Sequence, residues 1–327
     1  MTRHIFLGTL ALSLLACGPH TTIRETSAGG GVAPIASGDD VTAPTPEPDA
    51  PPARAWLWRI SGGDAASPSY VLGTTHASVT LATALPAPFD HQLDTARTLV
   101  QEVDFREIEH ALVESAQTHA RGARPLDRTL GRESWQRLTT EMSALLQPDL
   151  LRTLSPSAMT IYLEQVRLAE VEAAAEGREP IAGAASSAEL DGFLLDEATR
   201  HSVATIALET PVQGLDALAA LPAADVLAAL HRVIDQADEA RQRQSAMRTA
   251  YLGFDEAAIT QLLSTAWTPA QRDVVLTQRQ HAWEAVLVPQ IQQGNTFVAV
   301  GIEHLVGEGS MIESLRAHGY TVERLGQ

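Results

Sequence analysis

Cysteine is nearly absent: the chain of 327 residues carries one, Cys17. With that thiol lipidated, the folded part has none, which excludes disulfides and thiolate metal sites and leaves His, Asp and Glu as ligands. Positive charge is short as well, with 23 basic against 40 acidic residues and a net charge of -17. No basic run or aromatic platform offsets it, which argues against nucleic acid and against docking on anionic lipid headgroups. Two catalytic signatures are missing. There is no His-Glu-x-x-His of the common zincins and no Gly-x-Ser-x-Gly elbow of the serine hydrolases. No repeat at solenoid periods occurs, and no second Pro/Gly-rich linker divides the chain.

The N-terminus has the pattern of a lipoprotein signal peptide over residues 1–17. Arg3 and His4 form a short polar region, Ile5 to Leu15 an apolar stretch, and Leu14-Leu15-Ala16-Cys17 a lipobox. The apolar run is about 11 residues, against roughly 20 needed to span a bilayer. Cys17 is therefore the expected lipidation site, with the membrane reached through a lipid anchor alone. Gly18 in place of Asp favours the outer membrane of the cell envelope. Residues 18–54, with three consecutive glycines at 29–31 and Pro44, Pro46, Pro48, Pro51 and Pro52, bury too little to offset their ordering entropy and read as a disordered tether. The remainder, 55–327, has the length of one large domain.

Trp56 to Ile60, a Gly62-Gly63-Asp64 turn and Ser69 to Leu72 predict a β-hairpin. Pro88 is expected to start a helix carrying Phe89, Leu93 and Ala96 on one face, leading into a strand over Thr98 to Val103. Met159, Tyr162, Val166, Ala169 and Ala173 recur at helical spacing. Further helices are expected over Leu190 to His201, Ala224 to Ala240, Ala270 to Gln293 and Met311 to His318, with Pro222 and Pro269 as start signals. Val203 to Leu208 reads as a buried strand, Thr296 to Val300 as a strong one, and Tyr320 to Leu325 as the last. The fold class is thus α/β, mixed α+β: a central mixed sheet built from N- and C-terminal strands, a long helical middle, and the first and last segments adjacent.

Gly73-Thr74-Thr75-His76 and Gly301-Ile302-Glu303-His304 each follow a predicted strand. With 22 Gly and 11 His the spacing alone is common by chance; its place carries the weight, because open sheets bind ligands beyond the carboxyl ends of their strands.

These motifs, together with Trp58-Arg59-Ile60, Tyr70-Val71-Leu72, Gln101-Glu102-Val103-Asp104, Leu208-Glu209-Thr210 and Phe297 to Leu305, resemble the TraB/GumN family, also called TIKI-like, whose fold is similar to EreA and ChaN proteins. That family includes metal-dependent peptidases acting on secreted signalling protein, and peptide-pheromone regulators. The resemblance implies a metallohydrolase site around His76 and His304, with Glu102 as a further metal ligand or the general base. Glu209 and Arg279 are candidate catalytic residues, Glu209 alternatively pairing with Arg279. Asp191 matches a family aspartate but is more simply structural. The chain departs from the family pattern at Gln280, Glu303 and Gln213-Gly214. His110 and His119 are expected to be dispensable. Glu303, next to His304 on an extended segment, is expected to face away from it.

The donor set suits Zn²⁺, Mn²⁺, Fe²⁺ or Co²⁺. A bound divalent metal lowers the pKa of its water to about 7 and polarises a carbonyl. A peptide or protein in the envelope or outside the cell is the implied substrate. The competing readings are a haem- or metal-binding lipoprotein and an inactive envelope scaffold.

Overall fold

A computed structural model describes residues 53–76, 79–104, 106, 124–183 and 190–326. The signal peptide, the lipobox, nearly all of the tether, His110 and His119 lie outside them. Among the described residues no single helix is long and apolar enough to cross a membrane.

Six strands form one mixed sheet: β1 (Leu57–Ser61), β2 (Ser69–Thr74), β3 (Thr98–Gln101), β4 (Ala204–Ala207), β5 (Thr296–Gly301) and β6 (Thr321–Leu325). Their order across the sheet is β4-β3-β5-β2-β1-β6. β1 pairs antiparallel with β2, Leu57 facing Leu72, around a turn in which Gly62 and Gly63 take positive φ. Residues without a Cβ enter that region cheaply, and a tight hairpin turn needs it. β1 also pairs antiparallel with β6, so the first and last strands are neighbours as expected. β2, β5, β3 and β4 run parallel.

β5 is buried along its whole length, which is why Thr296-Phe297-Val298-Ala299-Val300 is continuously apolar after its first residue instead of alternating: a central parallel strand is covered on both faces. β4 differs from its expectation as a buried strand. It lies at the sheet edge, with Ala204 exposed and the following three residues only partly covered. An apolar run reports β-propensity, not the strand's position in the sheet.

The sheet core gathers Trp56, Leu72, Leu99, Trp283, Phe297 and Val298 with the surrounding helices. A second apolar cluster fills the helical middle: Leu126, Leu138, Met142, Tyr162, Val166 and Leu230 meet where helices Arg132–Met142, Pro156–Ala175 and Ala223–Asp235 pack. Beside it the buried cation Arg167 is gripped by both carboxylate oxygens of Glu141, at 2.6 and 2.8 Å, and by Glu170.

Three expected helices come out differently. The segment after Pro88 holds only the short helix His91–Asp94, capped by the Asp90 side chain, which accepts the His91 N–H. The stretch from Ala224 breaks at Gln236, whose φ of -124° and ψ of 48° are not helical, into Ala223–Asp235 and Ala237–Leu252. The stretch from Pro269 contains a π-helical segment, Asp273–Thr277, before the helix Gln278–Gln293. Periodicity could not report that segment, because one wide turn leaves the apolar spacing on either side intact. Such wide turns recur near functional sites.

Candidate functional site

Because four adjacent strands run parallel, the residues leaving their carboxyl ends share one sheet edge. Glu209 follows β4, Glu102 follows β3, Gly301 to His304 end and follow β5, and Thr74 to His76 end and follow β2. Neighbouring strands lie about 4.8 Å apart, so residues scattered from 76 to 304 come within side-chain reach. The ladder runs on past β4, with Leu208 N–H donating to Gln101 O at 2.8 Å and Glu209 N–H to Glu102 O at 2.9 Å.

Arg279, just beyond the π-helical segment, lies at the centre. Its Nε and Nη2 reach Glu209 at 3.1 and 2.7 Å. Nη2 also donates to Glu102 Oε2 at 2.9 Å, and Nη1 to Val275 O and to His304 Nε2 at 3.2 and 3.4 Å. The pairing of Glu209 with Arg279 is therefore present. Burial opposes the charge on Arg279, but Glu102 and Glu209 outweigh it and hold the guanidinium protonated.

Glu102 Oε1 accepts the Gly301 N–H at 2.6 Å and lies 3.8 Å from His304 Nε2. Burial alone would raise this carboxyl, yet the charge of Arg279 and the Gly301 amide hold it below the usual carboxylate range, so it is ionised at neutral pH. His304 is fully buried. Burial, reinforced by the charge of Arg279 and opposed by that of Glu102, pushes its pKa down to about 4. The imidazole is consequently neutral, the form that binds a metal or accepts a proton. Its Nδ1 is buried without a hydrogen-bond partner.

His76 is exposed on the open side of this edge. A positive charge on it would stabilise the carboxylates of both Glu102 and Glu303. Glu303 does not face away. Ile302–His304 form a 3-10 turn, where the two-residue alternation of a strand no longer holds. The Glu303 carboxyl folds back against Gly301, whose Cβ, if it had one, would meet the carboxyl oxygens at 2.6 and 2.7 Å. Burial and the neighbouring Glu102 raise the Glu303 pKa.

Further residues hold this arrangement together, of which Trp283 and Tyr251 were passed over in the sequence. Trp283 Nε1 donates to Glu209 Oε2 at 2.9 Å, and its ring packs 4.5 Å from the His304 ring, tilted by 49°. Gln280 Nε2 donates to His304 O at 2.8 Å, so this departure from the family pattern clamps the second motif. Arg279 and Trp283, spaced i and i+4, share one helix face, and that spacing was the available signal. Tyr251 donates its hydroxyl to Gly73 O at 2.7 Å and pins the end of β2. Gly73 itself supports Ile302, whose Cδ1 would lie 2.6 Å from a Cβ there. Gln213 acts locally, forming with Thr210 the capping box of helix Pro211–Ala219. A Cβ on Gly214 would lie 2.9 Å from Glu209 Oε1. Asp191 is buried and its carbonyl accepts the Gln101 side-chain amide at 2.9 Å.

A model of the TraB/PrgY/gumN family matches residues 56–324. The chain belongs to the TraB/PrgY/gumN family. No curated protein and no solved structure matches it. The match spans the strand ends that carry Glu102, Glu209 and His304.

A second constellation sits at the opposite edge. Asp94 precedes β3, while Glu197 and His201 lie at i and i+4 leading toward β4. One ligand atom from each of the three lies within 4.8 Å of the others, close enough to hold a metal ion. His201 Nε2 is 3.0 Å from Glu197 Oε1 and 3.7 Å from Asp94 Oδ1. Among the described residues this trio is the group of three that meets that spacing. At the other edge, the guanidinium of Arg279 reaches both His304 and Glu102.

Proposed function

We propose that this protein is a metal-dependent hydrolase of the cell envelope, TIKI-like in acting on a peptide or protein, with His76, Glu102 and His304 as ligands of one divalent cation. The observation that carries the reading is the approach of the buried His304 Nε2 to 3.8 Å from Glu102 Oε1. Two ligands of one tetrahedral ion lie roughly 3–3.5 Å apart; a cation here would displace the Arg279 guanidinium, which reaches both groups, and would draw His76 inward.

The residues present fit such a cation in two respects. The edge sets the carboxyl groups of Glu102 and Glu209 against the single guanidinium of Arg279, with the Glu303 carboxyl nearby, oxygen donors of the kind a divalent cation takes. The unpartnered nitrogen of His304 is Nδ1, not the Nε2 that approaches Glu102, and leaving it so costs about 1–3 kcal/mol unless the ring turns to present it to a cation. A divalent cation held here would supply Lewis acidity toward a substrate carbonyl. Glu102, kept ionised by the Gly301 amide and Arg279, is the group able to take a proton. Arg279 and Glu209 hold its carboxylate in place, and Trp283 keeps Glu209 and His304 in register. His76, on the open side, meets the substrate first. Lipidated Cys17 holds the domain at the envelope.

The test combines binding and cleavage on the purified protein. Digestion of a peptide library is expected to stop on adding chelator and to fall at least 100-fold in Glu102→Gln. Co²⁺ binding by calorimetry is expected to be lost in His304→Ala, with folding checked by circular dichroism, and to persist in His201→Ala. Binding lost in His201→Ala and kept in His304→Ala would move the metal to the trio with Asp94 and Glu197. A Soret band on adding haem, without chelator-sensitive cleavage, would replace the hydrolase with a carrier.

A further inference from the structure

We propose that Asp94, Glu197 and His201 bind a divalent cation of the Zn²⁺ type, which acts as a structural clasp between the segments leading into β3 and β4. The inference is independent of the hydrolase reading, since it concerns the opposite edge of the sheet and other residues.

Both segments are fixed by backbone bonds. Glu197 and His201, at i and i+4, share one face at the end of the helix Leu190–Arg200. The His201 N–H donates to Glu197 O at 3.1 Å, the Val203 N–H closes back onto Ala198 O at 2.8 Å, and Ser202 takes a φ of 57°. The imidazole therefore leaves a helix end whose backbone is already tied. Asp94 ends the short helix His91–Asp94, closed by Thr95, whose N–H and hydroxyl both donate to His91 O, at 3.2 and 2.8 Å. The Thr95 carbonyl in turn accepts the Asn295 side-chain amide at 2.8 Å, and the Arg97 N–H donates to Asn295 O at 2.7 Å. Asn295 immediately precedes β5, so the Asp94 segment is held to the base of a central strand.

The donors suit a cation better than an ion pair. His201 Nε2 faces two carboxylates, 3.0 Å from Glu197 Oε1 and 3.7 Å from Asp94 Oδ1, and the three ligand atoms lie within 4.8 Å of one another. Ligands of one tetrahedral ion lie roughly 3–3.5 Å apart. A neutral imidazole carries one N–H and can satisfy only one of the two acceptors with it; a cation on the lone pair of Nε2 serves both at once. Arg200 pairs with the other oxygen of Glu197, Oε2, which leaves Oε1 to the trio. The carbonyl end of a helix carries partial negative charge and favours a positive ion there. Imidazole and carboxylates without thiolate are donors that Zn²⁺ takes, and His201 is exposed, so water completes the shell. β4 is an edge strand bonded to β3 alone and only partly covered. A cation joining Asp94 to His201 ties the entries of these two strands, where the pairing of Thr98 with Ala204 begins.

The probe is Zn²⁺ added to chelator-treated full-length protein, followed by calorimetry, thermal unfolding and amide hydrogen exchange. An open site of three donors fills after a buried one. The clasp is thus the second, weaker step of a titration, and the step lost in His304→Ala is the first. Asp94→Asn and His201→Ala are expected to weaken the second step at least 10-fold and to leave the first unchanged. In the His304→Ala background, Zn²⁺ at 100 times its dissociation constant should raise the thermal midpoint by about 5 °C, and His201→Ala should abolish the rise. Exchange of the β4 amides should slow when Zn²⁺ is added. A second step that is missing, or that is equally strong in wild type, Asp94→Asn and His201→Ala, overturns the site and leaves an ordinary ion pair. Binding at the trio without slower exchange in β4 overturns the clasp. A titration whose single step depends on His201 removes the hydrolase reading and supports this one, so the two failures are read from different variants.

Discussion

Removing the cation at the centre of the strand-end cluster should destabilise the fold far more than loss of a surface ion pair. Arg279 donates to Glu209 through Nε and Nη2 at 3.1 and 2.7 Å and to Glu102 at 2.9 Å. The side chains of Arg279 and Glu209 are only 17% and 6% exposed, so water cannot take over for a missing partner. An exposed pair is worth about 0.2–1 kcal/mol. Stripping one partner from a buried pair costs about 3–5 kcal/mol, because a charge is left uncompensated. Arg279→Met keeps much of the packing against Trp283, over whose ring the guanidinium sits at 4.8 Å, and strands Glu209; the expected loss is about 3–4 kcal/mol. Glu209→Gln alone should cost about 2 kcal/mol, since Trp283 Nε1 retains an acceptor. In the double variant the stranded charge is gone, so the sum should fall short by about 2 kcal/mol. Urea unfolding of the four chelator-treated proteins, followed by tryptophan fluorescence, measures the cycle. A loss below about 1 kcal/mol in Arg279→Met, or a cycle additive within about 0.5 kcal/mol, would refute the claim that the cluster is an electrostatic unit.

Three further outcomes are expected. His304 is neutral when folded down to a pKa of about 4, whereas the unfolded chain takes up the proton near 6.5. Its contribution is therefore complete above pH 6.5 and is lost as pH falls toward 4, a span of about 3 kcal/mol. Urea midpoints of chelator-treated protein between pH 7 and 4 should fall more steeply in wild type than in His304→Gln; equal slopes would contradict the depressed pKa. Tyr251→Phe removes the buried hydroxyl that pins Gly73 and should cost about 1–2 kcal/mol, and a neutral result in thermal unfolding would mean that the bond carries no weight. Metabolic labelling with a palmitate analogue should mark the wild type and fail in Cys17→Ala, while label retained in that variant would exclude anchoring at this residue.

How much of this was legible beforehand depended on whether a feature is local in the chain. β5 declared itself through the five apolar and β-branched residues Thr296 to Val300, and the hairpin of β1 and β2 through its glycine turn. Both Gly-x-x-His motifs could be placed at strand ends because each strand and its motif are contiguous. The pairing of Arg279 with Glu209, across 70 positions, entered as one of two alternatives. The family pattern could bring these residues to one site but could not say how their side chains meet. Trp283 went unnoticed because an apolar residue on a helix facing the sheet reads as core. It is core, and its indole N–H also serves Glu209. Glu303 was misplaced for a different reason. Strand alternation was carried past Gly301, where β5 ends and the backbone turns into a 3-10 helix. The unexpected role of each glycine has the same origin: what a missing Cβ makes room for, Ile302 at Gly73 and the Glu303 carboxyl at Gly301, depends on neighbours whose direction only the folded backbone sets.

The order of the strands also constrains when the site can exist. β5 comes fifth in the chain but lies between β3 and β2 in the sheet, hydrogen-bonded to both. Until residues 296–304 are in place, β3 and β2 have no strand between them, and Glu102 and His76 stand at the ends of strands with no connection. Insertion of β5 closes the sheet, delivers the Gly301 amide to Glu102 and brings His304 against Trp283 in one event. The helix Gln278–Gln293 immediately precedes β5 and carries Arg279, so the cation and the strand arrive on the same stretch of chain. Such long-range pairing forms late, because the entropy of closing a large loop is lost before the contacts reward it. A chain with an incomplete C-terminal segment therefore lacks the central strand, the Gly301 amide that Glu102 accepts and the second histidine together, which couples the side-chain arrangement at this edge to completion of the whole sheet.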